Sequence, residues 1–414
     1  MLIKLLKYLL ASLLLFIVII ITLVNVNVRY QPEVLIHGDD TIQLELLNEL
    51  RGLQQALNEN ADIEMQEMYP EGYVFLNAIY ALAWTSFLRH EEHQDYFAEG
   101  HAEIQKAWIK IDSETGKSPF SADLPLPHGA FYNGWSTYVL GSKLRLERVT
   151  IRNEQEVQQL QQQCDQIANA IQQSTYPESY HSAAWPADVM LCVASLSIHD
   201  QVFEPRYAEI VQDWLKEVKT KLDSRGLIPH AVHSENGMHS GNARGSSMAL
   251  MLIFLRDIDL QFAQNQFLLF KKNFVDSKFG LTGITEYAKG QSGNVDIDSG
   301  PVILGFGTAA TIVGMQTLSL YGEDESSLKI RNTVEAFGIP TQSEDHKQYL
   351  LGKLPIADAF IAWSHTGIEK REKDVSFKHF HLYSSIIVLL LFTCLWFLIQ
   401  PDRRNRKNVS KKEQ

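Results

Sequence analysis

Apolar helical segments recur along this chain at a nearly constant spacing, and that spacing constrains the fold more than any other feature. The segments begin at six positions, separated by 59, 56, 57, 57 and 55 residues: Gly72, Phe131, Ala187, Arg244, Pro301 and Ile356. A fixed period of this length indicates an array of one supersecondary unit. A second repeat supports the first, because Asp-Ser followed by a turn glycine recurs at Asp112, Asp223 and Asp276.

Each unit combines two kinds of helix. Helices buried on every side are apolar nearly all round, and this pattern predicts inner helices at Phe131–Leu146, Pro186–Ile198, Ala243–Leu255 and Pro301–Tyr321. Charged, amphipathic stretches are typical of outer helices that face water, here Gln94–Lys110, Glu154–Gln173 and Pro205–Leu222. The other predicted helices are Glu45–Asn58, Tyr73–Leu88, Leu260–Val275, Ser326–Phe337 and Ile356–Trp363. No strand-rich region is predicted between them.

Six helical hairpins can stack openly as a solenoid or close into a ring. Closure is favoured here, because inner helices that are apolar on all faces need neighbours on both sides. The sequence therefore predicts an all-α fold over residues 30–378, an (α/α)6 toroid of six helical hairpins.

Two apolar stretches flank the predicted toroid, at residues 8–28 and 382–399. Both approach the ~20 residues that cross a bilayer as a helix, so we expect an N-terminal and a C-terminal transmembrane helix. No small-residue cleavage site follows the first stretch, which favours an uncleaved anchor over a signal peptide.

Basic residues set the expected orientation of these two helices. Lys4 and Lys7 precede the first helix, and residues 400–414 carry six basic side chains after the second. The positive-inside rule therefore predicts that residues 1–7 and 400–414 are both cytoplasmic. The toroid would then lie on the extracytoplasmic, periplasmic side of the cytoplasmic (inner) membrane.

Charge and cysteine content exclude several classes of function. The whole chain carries −12; the two N-terminal lysines contribute +2 and the tail +4, which leaves −18 for residues 8–400. So acidic a domain argues against nucleic acid or anionic lipid as the bound partner. The three cysteines form no Cys-x-x-Cys pair, so a thiolate zinc site is not expected. Whether Cys164 pairs with Cys192 is left open.

Three stretches resemble a known family: NGWSTYVLGSKLRL from Asn133, YHSAAWPADVMLCVASL from Tyr180, and the loop and helix over Glu235–Leu255. Across residues 60–320 their pattern is similar to the linalool dehydratase/isomerase-like domain. That domain belongs to the six-hairpin toroids, which also include glycoside hydrolases, epimerases and lyases. The resemblance implies acid/base chemistry that uses cysteines in the pocket. Here Trp185, Pro186 and Ala187 precede Asp188, and the nearby thiol is Cys192.

In a toroid of this kind the N-terminal ends of the inner helices converge, and we call that end the mouth. The candidate substrate-binding residues placed there are Glu71, His128, Tyr132, Trp135, Tyr180, His181, Trp185, His230, His233, Arg244, Glu286 and Asn294. Aromatic faces stack on the apolar side of a sugar ring, and paired carboxylates perform general acid/base catalysis. We expect Tyr132 and Trp185 to act as platforms and Arg244 to orient an anionic or hydroxyl group.

Asp188 is the first candidate catalytic residue. It follows Trp185-Pro186 and lies in the first turn of a buried helix. Low dielectric there would raise the pKa of its carboxyl group, whereas the helix dipole would favour the anion. The alternative is a carboxylate that only caps its helix.

Asp296 and Asp298 form the second candidate. They alternate with apolar residues in an extended segment, so both side chains point to one face. Two alternatives remain open. Asp298 or Ser299 could cap a helix that Pro301 opens, or Asn294, Asp296 and Asp298 could begin a cation loop, although the glycine and glutamate of a calcium loop are missing.

No metal or organic cofactor is expected. His230, His233 and His239 share a loop and could bind a metal or move protons, but solvated histidines are the favoured interpretation. Gly305-x-Gly307 lies in a predicted helix and follows no buried strand, so it is not a dinucleotide fingerprint.

Three functions are consistent with these features. The first is a membrane-anchored extracytoplasmic enzyme that acts on a carbohydrate, with Asp188 and either Asp296 or Asp298 as its acid/base pair. The second is a lyase or isomerase of the linalool dehydratase type, acting on an apolar alcohol. The third is a non-catalytic module that binds or assembles cell-surface glycan.

Overall fold

Helices make up most of the computed structural model, which describes residues 2–30, 35–37, 40–293, 299–367 and 375–400. The helices are α1 (Leu2–Asn27), α2 (Leu44–Asn58), α3 (Ala61–Met68), α4 (Gly72–Phe87), α5 (Phe97–Ile111), α6 (Glu114–Lys117), α7 (Gly129–Leu146), α8 (Glu154–Gln173), α9 (Pro186–Val202), α10 (Ala208–Thr220), α11 (Gly245–Ile258), α12 (Leu260–Phe274), α13 (Thr308–Leu320), α14 (Asp324–Phe337), α15 (Pro355–His365) and α16 (Lys378–Ile399).

Short strands occur only as antiparallel two-stranded hairpins within the described ranges. They are β1 (Leu35–His37) with β2 (Asp40–Ile42), β3 (Ala231–Val232) with β4 (His239–Gly241), β5 (Val275–Lys278) with β6 (Leu281–Ile284), β7 (Val302–Ile303) with β8 (Phe306–Gly307), and β9 (Thr341–Gln342) with β10 (Lys347–Gln348).

Six inner helices form a closed ring. Helices α4, α7, α9, α11, α13 and α15 pack against one another in that order, and α15 returns to α4. Outer helices α5, α8, α10, α12 and α14 cover the ring, and α2 covers α15. The prediction of a helical toroid is therefore confirmed.

The outer helices show why the sequence separates into two layers. Helix α10 buries Val211, Trp214, Leu215 and Val218 and leaves its other face to solvent. These positions follow the i, i+3, i+4, i+7 spacing of one helical face. By contrast, α7 buries nearly every residue and α9 buries most of its residues. Gly134 lets the two helices approach, since a Cβ atom there would lie 2.8 Å from the Asp188 carbonyl oxygen.

The fifth inner helix is shorter than predicted. Helix α13 begins at Thr308 and not at Pro301, because residues 302–307 form the β7–β8 hairpin. Leu304 and Gly305 turn that hairpin with φ values of 54° and 86°, which no right-handed helix allows. The expectation of a helix opening at Pro301 is thus wrong.

A buried group of charges, the closing seam, joins the first and last units of the ring. Lys347 on β10 lies 2.9 Å from both carboxylate oxygens of Glu335 on α14 and pairs with Glu45 on α2. Glu49 on α2 accepts hydrogen bonds from Tyr349 (2.8 Å) and from His365 Nδ1 (2.9 Å). Residues about 300 positions apart in the sequence are therefore held together by ion pairs.

Helices α1 and α16 pack against each other outside the ring, and α1 also packs against α14. Asn25 of α1 accepts a hydrogen bond from Ser384 (2.9 Å) and lies 2.8 Å from His381 Nδ1 of α16. By length and composition, Leu5–Asn27 and Lys378–Ile399 are apolar enough to cross a membrane.

Candidate functional site

The loops that precede the inner helices gather at the mouth. Three backbone hydrogen bonds join successive loops, from Ala130 N–H to Glu178 (2.9 Å), from Val232 N–H to Ala184 (3.2 Å), and from Gly245 N–H to Glu286 (2.8 Å). Side chains that are distant in the sequence therefore share one end of the toroid.

Asp188 lies at the third position of α9, directly below this set of loops. It is half-buried, and Ser179 Oγ donates a hydrogen bond of 2.5 Å to its carboxylate. The carboxylate is therefore held in one orientation while part of it stays accessible.

Glu71 brings a second carboxylate to the mouth from the first unit. The Tyr180 hydroxyl donates a hydrogen bond to Glu71, which stands immediately before α4. Ser179 and Tyr180 are consecutive, so one loop holds carboxyl groups from two different units. The Tyr180 ring also meets Trp185 edge to face, with centroids 5.9 Å apart.

Arg244 forms the core of a polar network between the fourth and fifth units. Its Nε donates to Glu286 at 2.6 Å, and its Nη1 lies 3.3 Å from His230 Nε2. Ser246 also donates to Glu286, at 2.8 Å, and the guanidinium lies 5.6 Å from the Tyr287 ring centroid. Arg244 and Glu286 are both buried, so the pair fixes the two loops against each other.

Aromatic rings form the floor of the mouth. Phe75 of α4 lies 5.6 Å from Phe131, 5.0 Å from Trp135 and 5.2 Å from Phe360, measured between ring centroids. Phe75 and Phe360 are half-buried although both belong to inner helices, so their free edges face the lumen. Sequence reasoning missed both residues; an aromatic residue near the start of an apolar helix was the available signal.

Two predicted ligand contacts lie beneath the surface. Tyr132 is almost fully buried and donates to the Ile111 carbonyl at 3.4 Å, and burial raises the pKa of its hydroxyl. The platform role predicted for Tyr132 does not fit this position. Trp135 is also buried and packs on Phe254.

The predicted histidines are dispersed around the mouth. His128 occupies the N-cap position of α7 with φ 68°, and its Nδ1 lies 3.2 Å from the Phe120 carbonyl oxygen. His181 is exposed, and its Nε2 lies 3.2 Å from Ser121 Oγ. His230 is half-buried beside Arg244, and His233 is exposed. His239 is exposed in the β3–β4 hairpin.

A metal-like set of ligands occurs away from the mouth. Glu49, Glu335 and His365 place one ligand atom each within 4.8 Å of one another. They belong to the closing seam, where the Lys347 ammonium already lies 2.9 Å from both Glu335 oxygens. The cation that balances these carboxylates is thus supplied by the protein itself.

Asn294, Asp296 and Asp298 lie outside the described residues, so their predicted roles stay predictions. The cysteines are described. Cys164 and Cys192 are both free and buried. The Cys192 thiol donates to the Ala130 carbonyl at 3.3 Å, and burial raises its pKa well above the usual range. A thiol in that state is poorly suited to acid/base catalysis at neutral pH.

A cavity of about 430 Å³ lies at the end of the ring opposite the mouth, where the inner helices finish. Arg89, Arg145, Arg256 and Asp257 line it, and Tyr138 donates to Asp257 at 2.7 Å. Burial and the nearby Arg145 lower the pKa of Arg89. This cavity is lined by basic side chains, whereas the mouth carries carboxylates.

Fold and site together define a helical toroid with carboxylates and aromatic rings at the N-terminal ends of its inner helices. A solved glycoside hydrolase of family 105 from C. acetobutylicum is similar in fold, with a TM-score of 0.51, 11% identity, and coverage of 78% of this chain and 99% of that one. This similarity concerns the fold alone.

Two further solved structures are similar at TM-scores below 0.5. One is a family 76 alpha-mannanase from Bacteroides thetaiotaomicron (0.44; 11% identity; 71% of this chain, 86% of that chain). The other is a D-mannose isomerase (0.41; 12% identity; 75% and 86%). No protein-family model and no curated protein matches this sequence.

Proposed function

We propose that this chain is a membrane-anchored enzyme that processes a glycan by general acid/base catalysis at the mouth of its toroid. The observation that carries the proposal is the pair of carboxylates, Asp188 and Glu71, held by consecutive residues Ser179 and Tyr180 beside aromatic rings. The family 105 glycoside hydrolase supports it to the extent that a similar fold accommodates such chemistry.

Each group at the mouth has a role in this proposal. Asp188 exchanges a proton with the scissile or migrating group, and Asp296 or Asp298 supplies the second carboxyl group. Glu71 and Tyr180 orient a sugar hydroxyl, because the tyrosine can accept a hydrogen bond while it donates to the carboxylate. Trp185 and the floor rings Phe75 and Phe360 pack on the apolar face of the sugar.

Membrane anchoring is part of the same proposal. It rests on the length and composition of α1 and α16 and on the single pair that they form. The basic residues predict that the N-terminal end of α1 and the C-terminal end of α16 lie on one side of the bilayer. The toroid then lies on the other side.

The proposal does not extend to chemistry of the linalool dehydratase type. That chemistry uses cysteines in the pocket, and Cys192 is buried with a raised pKa and a hydrogen bond to a backbone carbonyl. Carboxylates, in contrast, reach the mouth from two units.

The decisive experiment is Asp188→Asn in the full chain, tested against a panel of oligosaccharides and glycolipids by NMR detection of products. We expect turnover to fall by roughly 10²- to 10⁴-fold, the usual contribution of a general acid or base. Ligand binding should survive, because the amide has the same shape and still accepts from Ser179.

Asp358→Asn is the matched control. Asp358 also stands in the first turn of an inner helix opened by proline, but it accepts a hydrogen bond from the Tyr349 N–H in the closing seam (2.7 Å). Its replacement should leave turnover unchanged. Full turnover in Asp188→Asn would refute the assignment, and glycan binding without turnover by the unmodified chain would identify a binding module instead.

A further inference from the structure

The direction in which α1 leaves the toroid can be read from its contacts with α14. Asn332 donates to the Val28 carbonyl at 2.8 Å, and Val24 and Ala336 belong to one apolar cluster. Moving back along α1 from Val28 to Val24 therefore follows α14 forward from Asn332 to Ala336. Helix α14 is an outer helix, antiparallel to the inner helix α13 that precedes it, so its C-terminal end lies at the mouth. The N-terminal part of α1 extends from the toroid on that side.

Helix α16 departs on the same side. The β5–β6 hairpin rises from the C-terminal end of outer helix α12, which is again the mouth end. At the hairpin tip, a Cβ atom on Gly280 would lie 2.3 Å from the Phe380 amide nitrogen. The Phe279 ring meets the Tyr383 ring edge to face, with centroids 6.3 Å apart. The C-terminal end of α1 and the N-terminal end of α16 therefore both lie beside the mouth, and both helices extend away from it.

The tips of the neighbouring loops expose large apolar side chains. Phe279, Leu304, Ile339 and Leu351 are 57%, 60%, 59% and 60% exposed. All four also have positive φ values, 52°, 54°, 48° and 57°, a conformation that bulky residues avoid. They lie on β5–β6, on β7–β8 and in the segment between α14 and α15, all of which precede or follow helices at the mouth end.

A lysine joins two of these tips. Lys278 Nζ donates to the Leu304 carbonyl and lies 5.1 Å from the Phe306 ring centroid. Lysines of this kind extend along apolar surface and keep the ammonium group at the level of polar lipid head groups. Tyr383, beside Phe279, is the type of residue that marks the interface between membrane and water.

We propose that these apolar tips insert into the head-group layer of the bilayer that anchors α1 and α16. The mouth consequently opens toward the membrane surface, and its ligand is a glycan carried on that membrane, such as the head group of a glycolipid. This inference rests on the proposed function for the site and for membrane anchoring. It differs from them by fixing which end of the toroid faces the lipid.

The experiment uses an environment-sensitive fluorophore at single cysteines in the full chain, reconstituted in phosphatidylcholine nanodiscs. Cys394→Ala removes the exposed native thiol, and buried Cys164 and Cys192 do not react. Labels replace Phe279, Leu304 and Leu351 in turn. Ile151 is the matched control, because it is apolar, 54% exposed and located between α7 and α8 at the opposite end.

We expect labels at the three tips to emit at shorter wavelength and to be quenched several-fold more by nitroxide-bearing lipids than the label at Ile151. Equal quenching at both ends, or stronger quenching at Ile151, would overturn the proposal. Tips shielded from lipid quencher and from aqueous iodide alike would also overturn it, since a protein partner would then cover them.

A second measurement tests the ligand. Saturation-transfer NMR compares sugars bearing a methyl aglycone with the same sugars on an octadecyl chain embedded in the nanodisc. We expect tighter apparent binding of the embedded sugar. This preference should be lost in the double variant Phe279→Ser, Leu304→Ser and kept in Ile151→Ser. Equal binding of both forms would refute the membrane-borne ligand. Neither result depends on turnover, so failure here leaves the acid/base assignment of Asp188 to its own test.

Discussion

Asp358 is a carboxylic acid whose surroundings disfavour its charge. Burial raises its pKa to about 7; the nearby Glu49 adds to the rise, and the hydrogen bond from the Tyr349 N–H opposes it. Phe360, two positions further along α15, has its free edge in the lumen. Residues two apart on a helix point in nearly opposite directions, so Asp358 faces the closing seam and not the ligand.

The raised pKa of Asp358 has a consequence for stability. The folded protein holds this proton more tightly than the unfolded chain, so the contribution is complete at low pH and is lost as pH rises toward 7. Asp358→Asn removes the dependence and keeps the acceptor for Tyr349. Since each pH unit between the two pKa values counts for about 1.4 kcal/mol, we expect the variant to gain roughly 2–3 kcal/mol over the parent between pH 5 and pH 8.

The measurement is denaturant unfolding of both proteins in detergent across that pH range. The range avoids Glu49: burial opposes its charge, but His365, Lys347 and Tyr349 lower its pKa to about 2, so its contribution is lost only as pH falls below 4.5. Asp123→Asn, an exposed replacement near the mouth, should show no such trend. A stability difference that does not change with pH would contradict the assignment.

At the scale of elements, the closing seam decides whether the ring stays closed. Helix α2 is joined to β10 and α14 through Glu45, Lys347 and Glu335, all nearly inaccessible to water, and to α15 through the Glu49–His365 pair. Gly52 lets β10 lie against α2, because a Cβ atom there would stand 2.5 Å from the Lys347 carbonyl oxygen. Removing one partner from a buried ion pair leaves an uncompensated charge.

We therefore expect Lys347→Met to lower the free energy of unfolding by about 3–5 kcal/mol, as measured by denaturant titration. Lys353→Met is the control, since Lys353 is exposed and only a few residues away. The double variant Lys347→Met, Glu335→Gln should recover part of the loss by removing one uncompensated charge. A loss below about 1 kcal/mol, the size of a surface ion pair, would show that the seam does not depend on this lysine.

At the scale of the whole molecule, α1 and α16 form a pair outside the ring. Asn25 of α1 makes polar contacts with Ser384 and His381 of α16. Hydrogen bonds between membrane helices contribute about 1 kcal/mol, so Asn25→Leu should shift the pairing equilibrium by roughly fivefold.

Double electron–electron resonance between spin labels at Leu9 and Phe392 would measure the distance between α1 and α16 in nanodiscs. The distance distribution should broaden in Asn25→Leu and stay unchanged in Asn27→Leu, whose side chain is exposed. An unchanged distribution in both variants would mean that apolar packing alone holds the two helices together.

The sequence predicted the ring of helices because a helix that is buried on every side is apolar nearly all round. That pattern can be recognised within a single segment. The apolar segments, which recur about every 57 residues, and the two terminal apolar stretches are visible in the sequence, and each of them contains a helix in the structure. The β7–β8 hairpin was missed, because Gly305 and Leu304 turn the chain inside an apolar run that reads as helix.

At the candidate site, residue type and position near the start of an inner helix led to the prediction of Asp188, Glu71, Tyr180 and Arg244, which the structure places at the mouth end of the ring. Their partners required the fold. Ser179 joins Asp188, Glu286 joins Arg244 across 42 positions, and Tyr132 turns away into the core. The closing seam links residues about 300 positions apart in the sequence. The side of the ring from which α1 departs is likewise set by a long-range contact, the hydrogen bond from Asn332 to the Val28 carbonyl. Composition and period determine which segments become buried helices, because the apolar pattern of each helix is contained in its own segment. Which side chains meet depends on how the ring closes, and only the tertiary structure decides that.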